Sequence, residues 1–158
     1  MSEKNYKCGY KQCKLGGNVS KDIAVKKGNR YYHRECLNEL HNKEQIRKLF
    51  LEHINSTEVI SLLNRTINNI IDVKKVPSDF LLFALQYVIK NKLPLNHATG
   101  LYYIINNKKI KNEYTKQKAR EINSKIKATN VSANNEVKFT INIQTNSWDR
   151  IFERSTTQ

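Results

Sequence analysis

The sequence has few of the residues that build extended, cross-linked or membrane-spanning proteins. Only two prolines and five glycines occur among 158 residues, which excludes collagen-like, elastic and proline-rich linker proteins. The longest apolar stretch, Phe80 to Ile89, is interrupted by Gln86 and is far shorter than the roughly 20 residues that cross a bilayer. The N-terminus has no apolar segment typical of a secretory signal peptide. We therefore expect a soluble, cytoplasmic protein that does not bind membranes.

Cysteine is also scarce, and all three cysteines lie in the first 36 residues. An odd number of thiols in a reducing compartment argues against a disulfide framework. With one histidine they form the pattern Cys8-x4-Cys13-x19-His33-x2-Cys36. Zn²⁺ in a closed structural site takes four sulfur or nitrogen ligands, and two tight ligand pairs flanking a loop let a short peptide supply all four. The motif therefore predicts one structural zinc ion.

The segment between the ligand pairs predicts a β-hairpin followed by a helix. Residues 22–26 and 30–32 have the composition of strands, and a Gly-Asn pair between them suits a tight turn. The apolar spacing over residues 34–40 is helical, so His33 and Cys36 should lie one turn apart at the start of a helix. This order of elements would place both ligand pairs around one metal ion.

Residues 8–40 resemble a treble-clef zinc finger, and their spacing is similar to the first zinc site of a LIM domain. The string Tyr-Tyr-His-Arg-Glu-Cys at residues 31–36 is the most characteristic part. The resemblance implies that the first two cysteines are knuckle ligands and that His33 and Cys36 are helix-borne ligands. The first pair is separated by four residues rather than two, and the absence of a second ligand quartet in the sequence excludes a complete LIM domain.

The same ligand set argues against catalysis. A catalytic zinc keeps one position open for water, whereas this motif offers four good ligands. A zinc-dependent nuclease on a similar scaffold would need further metal ligands, and the hairpin sequence offers none. His41, His53 and His97 have no carboxylate pair or nucleophile nearby in sequence. We expect a protein that is not an enzyme and has no small-molecule substrate.

Past the finger, apolar periodicity predicts three helices, of which the third is apolar almost all round and should be central. They span residues 46–54, about 56–73 and 78–89. Asn42 is expected to cap the first helix after a break at residues 41–43. Residues 97–105 fit either a short helix or a strand, and alternation over residues 137–143 predicts a short C-terminal strand.

The expected fold class is α+β, with a zinc-bound, treble-clef-like hairpin and helix preceding a mainly α-helical domain. We divide the chain into a zinc-finger module at 1–41, a helical domain at 42–127, and a third segment at 128–158. The third segment combines a polar linker, the short strand and an aromatic cluster. A chain of this length can form one domain of ordinary size and a small satellite.

Acidic residues are too few to balance the basic ones. Against 28 Lys and Arg stand 14 Asp and Glu, a net charge of +14 at pH 7, which indicates a polyanionic partner or a large acidic surface on a partner. A basic helix is predicted over residues 108–127, although a solvated helix face explains its charge equally well. Its candidate phosphate-binding residues are Lys108, Lys109, Lys111, Lys116, Lys118 and Arg120. Trp148 and Phe152 are spaced either to anchor a partner or to pack on the helical core.

Composition, size and the position of the finger resemble small Lys- and Asn-rich proteins of phages that infect low-GC Gram-positive bacteria. Some zinc-containing proteins of that group are anti-CRISPR proteins, which inhibit an RNA-guided effector nuclease. The resemblance implies a bacterial host cytoplasm and a nucleoprotein partner. We therefore expect a non-enzymatic protein that engages a nucleoprotein target, and the alternative is a basic DNA-binding accessory factor in phage replication, recombination or transcription.

Overall fold

The computed structural model describes residues 5–130, with side chains described for residues 5–126. Within that range four short strands precede five α-helices. One compact unit extends to Glu121, and a second begins at Ile122. The described part is thus α+β, with short hairpins followed by a mainly helical region. The strand predicted at 137–143 and the aromatic segment with Trp148 and Phe152 lie outside the described residues.

Two antiparallel hairpins form the N-terminal part of the chain. Strand β1 (Asn5–Lys7) pairs with β2 (Asn18–Ser20), and β3 (Val25–Lys27) pairs with β4 (Arg30–Tyr32). Gly28 has a φ of +60° at the first position of the turn between β3 and β4, where a tight hairpin turn favours glycine. The predicted second hairpin is confirmed with a shorter first strand, whereas the first hairpin was not anticipated from the sequence.

Helix α1 runs without interruption from Arg34 to His53, so the break predicted at residues 41–43 is wrong. Asn42 caps no helix: its Nδ2 atom donates a hydrogen bond to the Ser78 hydroxyl at 2.9 Å. The apolar stripe of α1 looks broken in sequence because Lys43 occupies its inward position, where the side chain is buried. Since α1 starts at the metal ligands and ends in the helical core, it links the two regions rigidly.

The remaining helices follow the predicted order, and those expected from residues 78 and 108 begin at these residues. They are α2 (Ile60–Asn68), which continues as a π-helical turn (Asn69–Val73), α3 (Ser78–Lys90), α4 (Leu101–Asn106) and α5 (Lys108–Asn130). The second helix begins later than expected because the Asn55 side-chain oxygen accepts hydrogen bonds from the Thr57 amide at 3.0 Å and hydroxyl at 2.8 Å. These bonds order a turn instead of capping a helix. Residues 98–106 are helical, as a 3₁₀ turn (Ala98–Gly100) followed by α4, so the helical alternative is confirmed there.

The hydrophobic core lies between α1, α2, α3 and α4 and the first turn of α5. Its fully buried side chains include Ile46, Phe50, Leu63, Ile70, Leu81, Leu85, Leu101 and Ile110. Burial of each such side chain contributes about 1.5–3 kcal/mol. Helix α3 carries buried residues along its whole length, so its predicted central position is confirmed. Among the described helices, none is long and apolar enough to cross a bilayer.

Candidate metal centre

The fold brings all four predicted ligands to one point. Cys8 follows β1, Cys13 lies in the loop before β2, His33 lies between β4 and α1, and Cys36 is in the first turn of α1. Their ligand atoms all lie within 4.8 Å of one another. The grouping expected from the sequence motif is therefore present, and it forms a zinc-finger-like site beside the N-terminal hairpins.

Three of the separations match the edges of a tetrahedron around zinc. The Sγ atoms of Cys13 and Cys36 are 3.7 Å apart, and the Nδ1 atom of His33 lies 3.4 Å from the first sulfur and 3.8 Å from the second. Zn–S bonds of about 2.3 Å and a Zn–N bond of about 2.0 Å imply edges of roughly 3.8 Å between sulfurs and 3.5 Å between sulfur and nitrogen. The donor set therefore fits one zinc ion.

The histidine ligand is oriented by a hydrogen bond on its far side. The Nε2 atom of His33 lies 3.0 Å from the backbone oxygen of Asn18, at the start of β2. Because a carbonyl oxygen only accepts, Nε2 carries the proton and Nδ1 presents its lone pair to the metal. Such a bond fixes both the tautomer and the ring orientation of a metal-ligating histidine. The motif spacing gave no indication of this contact, which comes from the unanticipated first hairpin.

The loop that carries the first two cysteines is shaped by backbone hydrogen bonds. The Cys8 amide donates to the Gly17 oxygen at 2.7 Å, and the Cys13 amide donates to the Tyr10 oxygen at 3.2 Å. Gly17 has a φ of +77°, a conformation that favours glycine. Although burial favours the neutral thiol, hydrogen bonds from the backbone of Leu15 and Gly17, and then from the other two thiols, lower the pKa of Cys13 to about 7.

The third cysteine lies in a different environment. Burial, followed by hydrogen bonds and repulsion from the other two sulfurs, raises the pKa of the Cys36 thiol to about 12. Zinc binds thiolates, so metal binding must displace this proton as well as that of Cys13. Two of the ligands, Cys8 and Cys36, form a small buried cluster with Tyr10 and Tyr32. When zinc is bound, it would supply on the order of 10 kcal/mol of apparent folding energy to a module with little core of its own.

A buried polar network next to the metal centre was missed in the sequence. The Lys43 ammonium lies 2.8 Å from both carboxylate oxygens of Asp72, and its side chain is 8% exposed. The Tyr10 hydroxyl donates to Glu39 at 2.7 Å and lies 3.2 Å from Asp72. Burial and these two carboxylates raise the pKa of Tyr10 well above its usual range. Lys43 falls in phase with Cys36, Ile46 and Phe50 on α1. This helical spacing is the sequence feature from which its burial could have been predicted.

The candidate phosphate-binding residues all lie on α5, where the structure divides them into two groups. Lys116 pairs with Glu113 at 3.0 Å, and Lys118 lies 3.3 Å from Asp79 and 3.6 Å from Glu121. Half-buried Lys111 has its pKa lowered by burial. The exposed members outside these ion pairs are Lys108, Lys109 and Arg120. Part of the predicted basic surface is therefore neutralised within the fold.

Comparison of the chain with protein-family models, with curated proteins and with solved structures yields no match. The features that bear on function are the metal centre, the charge distribution and the surface of the described residues. These features are local and chemical, and each can be tested by substitution.

Proposed function

We propose that the chain is a non-enzymatic, zinc-stabilised binding protein that engages the nucleic acid of a nucleoprotein target. The carrying observation is the imbalance of surface charge. Many of the acidic side chains already lie 2.8–3.8 Å from a lysine: Glu39, Glu44, Glu52, Asp72, Asp79, Glu113 and Glu121. Because the whole chain carries +14, the cations in excess of these pairs give the surface a positive potential that favours a polyanion.

The proposed role of zinc is structural. Four ligands leave no open coordination position for a water molecule, which a hydrolytic zinc would need. Helix α1 extends from the ligand Cys36 to the core residue Phe50, so a bound metal would fix the orientation of the hairpins on the helical region. We interpret this module as a treble-clef, LIM-like finger that acts as a rigid platform. A hairpin of three-residue strands has marginal stability alone, so the bound metal would supply the rigidity.

Nucleic acid would be contacted by exposed cations at the start of α5 and on the N-terminal module. Lys108 and Lys109 are adjacent and exposed at the first turn of the helix, and Arg120 is exposed further along. Contacts of this type are electrostatic and nearly independent of base sequence. Trp148 and Phe152 remain proposed anchors for a protein face of the same target, on the strength of their spacing in the sequence.

The finer proposal concerns the identity of the target. On the resemblance to phage-encoded proteins, the target would be an RNA-guided effector nuclease, and the chain would act as an anti-CRISPR inhibitor by occupying the enzyme or its nucleic-acid channel. The alternative, a DNA-binding accessory factor, uses the same cationic surface on free DNA. The two differ in whether a protein accompanies the nucleic acid.

Purification at moderate salt, with and without nuclease treatment, tests this proposal. We expect nucleic acid and a protein partner to elute together with the chain, and nuclease treatment to release the partner or trim its nucleic acid. Elution of bare nucleic acid would favour the accessory factor. If nothing elutes and the purified chain binds no oligonucleotide at about 50 mM salt, the proposal is wrong, because phosphate contacts are strongest at low salt.

The contribution of α5 is tested by reversing Lys108, Lys109 and Arg120 to Glu. If all three contact phosphate, nucleic-acid affinity should fall and the dependence of log affinity on log salt should flatten by roughly one unit per contact. Helical circular dichroism should stay unchanged, because these side chains are exposed. An unchanged salt dependence would remove α5 from the binding surface and leave the N-terminal module as the contact region.

A further inference from the structure

The N-terminal module contains a groove beside the metal centre, and the candidate ligands Cys8 and Cys13 are among the residues that line it. It is an open groove with a volume of about 680 Å³, within the roughly 300–1,000 Å³ typical of ligand sites. One wall is formed by residues 6–11, which run from β1 into the cysteine loop, and the other by residues 29–31 at the turn into β4. The walls are joined by a hydrogen bond from the Gly9 amide to the Tyr31 oxygen at 2.8 Å. The groove is therefore built from two segments that the fold locks together.

The side chains around the groove carry charge of one sign. Lys7, Lys11 and Arg30 line it, and all three are exposed. Among the described residues that line the groove, none is acidic. Three cations around a single concave surface favour an anion with several charges, because a concave surface of one sign concentrates the field.

Aromatic rings lie beside these cations. Tyr6 of β1 and Tyr31 of β4 stack with ring centroids 3.9 Å apart and an interplanar angle of 10°, and both rings are half-buried. Because the two rings hold each other in place, ligand binding need not order them. A nucleic-acid base that continues this stack would be bound more tightly, whatever its identity.

We propose that this groove binds a short single-stranded segment of nucleic acid, with phosphates at Lys7, Lys11 and Arg30 and a base stacked against the Tyr6–Tyr31 pair. The proposal rests on the function proposed above and locates its main contact on the zinc-bound module. Single strands are favoured over duplexes because paired bases do not expose their faces to a side chain. An acidic peptide would satisfy the cations but would leave the aromatic pair without a stacking partner.

The test uses the full, zinc-loaded chain and two charge-matched triple variants. The groove variant is Lys7→Gln, Lys11→Gln and Arg30→Gln, and the control is Lys21→Gln, Lys26→Gln and Arg34→Gln. Each removes two lysines and one arginine that are exposed in the same module, and only the first set lines the groove. Zinc content and circular dichroism verify that both variants fold. The readout is fluorescence anisotropy of a labelled oligothymidylate of about 12 nucleotides, a length within the range bound by compact single-strand modules.

We expect the groove variant to lose at least about tenfold in affinity and to lower the salt slope by about two units, since three single-strand phosphate contacts contribute about 0.7 each. The control variant should lose no more than about threefold through its lower net charge. Equal losses in the two variants would overturn the groove assignment while leaving the proposed function intact. No binding by the unsubstituted chain at low salt would overturn both.

Stacking is tested on the unsubstituted chain, so that no aromatic residue has to be replaced. An oligonucleotide carrying iodouracil is cross-linked by light, and the modified peptide is identified by mass spectrometry. We expect cross-links at Tyr6 or Tyr31, because photo-cross-linking favours a ring stacked on the base. Cross-links confined to other regions, or inorganic polyphosphate competing as well as the oligonucleotide per charge, would show a general anion surface and contradict the proposal.

Discussion

The buried pair of Lys43 and Asp72 should be a major determinant of stability. The change Asp72→Asn keeps the shape of the side chain but removes the charge that both 2.8 Å contacts depend on. The ammonium of Lys43 would then stay buried beside a neutral amide oxygen and the Tyr10 ring, 5.2 Å away, with no opposite charge among the contacts described. Removing one partner of a buried ion pair costs about 3–5 kcal/mol, out of a total of about 5–15 kcal/mol for a domain.

Urea unfolding of the zinc-saturated protein, followed by helical circular dichroism, measures this cost. The matched control is Lys48→Met, on the same helix, because Lys48 and Glu52 form a pair at 3.8 Å with exposed side chains. That variant should lose less than about 1 kcal/mol. The thermal midpoint of Asp72→Asn should fall by roughly 10 °C or more, at about 3 °C for each kcal/mol in a unit of this size.

The double variant Lys43→Met, Asp72→Asn separates loss of the pair from loss of either side chain. It removes both charges, so no uncompensated ion stays buried, and we expect it to be more stable than Asp72→Asn alone. Interdependence of the two charges is refuted if Asp72→Asn lowers stability no more than Lys48→Met does. It is also refuted if the double variant loses as much stability as Lys43→Met and Asp72→Asn lose separately, added together. Either result would mean that the two charges do not depend on each other.

Two further predictions concern the metal centre and the packing of α5. Elemental analysis should find one zinc per chain. The change Cys36→Ser should lower this ratio sharply while most of the helical signal persists, because the side chains of the helical core come from Ile46 onward. A zinc ratio near zero in the unsubstituted chain with free thiols would contradict the assignment. The change Tyr114→Phe should lower the free energy of unfolding by about 1 kcal/mol, because the Tyr114 hydroxyl donates to Asp79 at 2.5 Å. Its control is Tyr103→Phe, which should change stability little because that ring is 74% exposed. Equal losses of stability in the two variants would argue against the hydrogen bond.

Features that depend on local spacing were predictable from the sequence. Two tight ligand pairs have few geometric arrangements around a tetrahedral ion, so the motif was sufficient to group Cys8, Cys13, His33 and Cys36. Helical periodicity likewise located α3, because a helix buried on nearly all sides must be apolar on nearly all sides. Both inferences use distances of a few residues along the chain, which the sequence displays directly.

Features that join distant residues emerge in the folded chain alone. The inward position of Lys43 on α1 makes sense once Asp72, 29 positions later, supplies the opposite charge. The partial neutralisation of α5 depends on Asp79 in α3 reaching Lys118. The groove exists because β4 is aligned beside the segment that follows β1, which brings Tyr31 onto Tyr6. Charge pairs and stacked rings of this kind leave no periodic pattern in the sequence. Their partners come together through the packing of elements that are far apart along the chain.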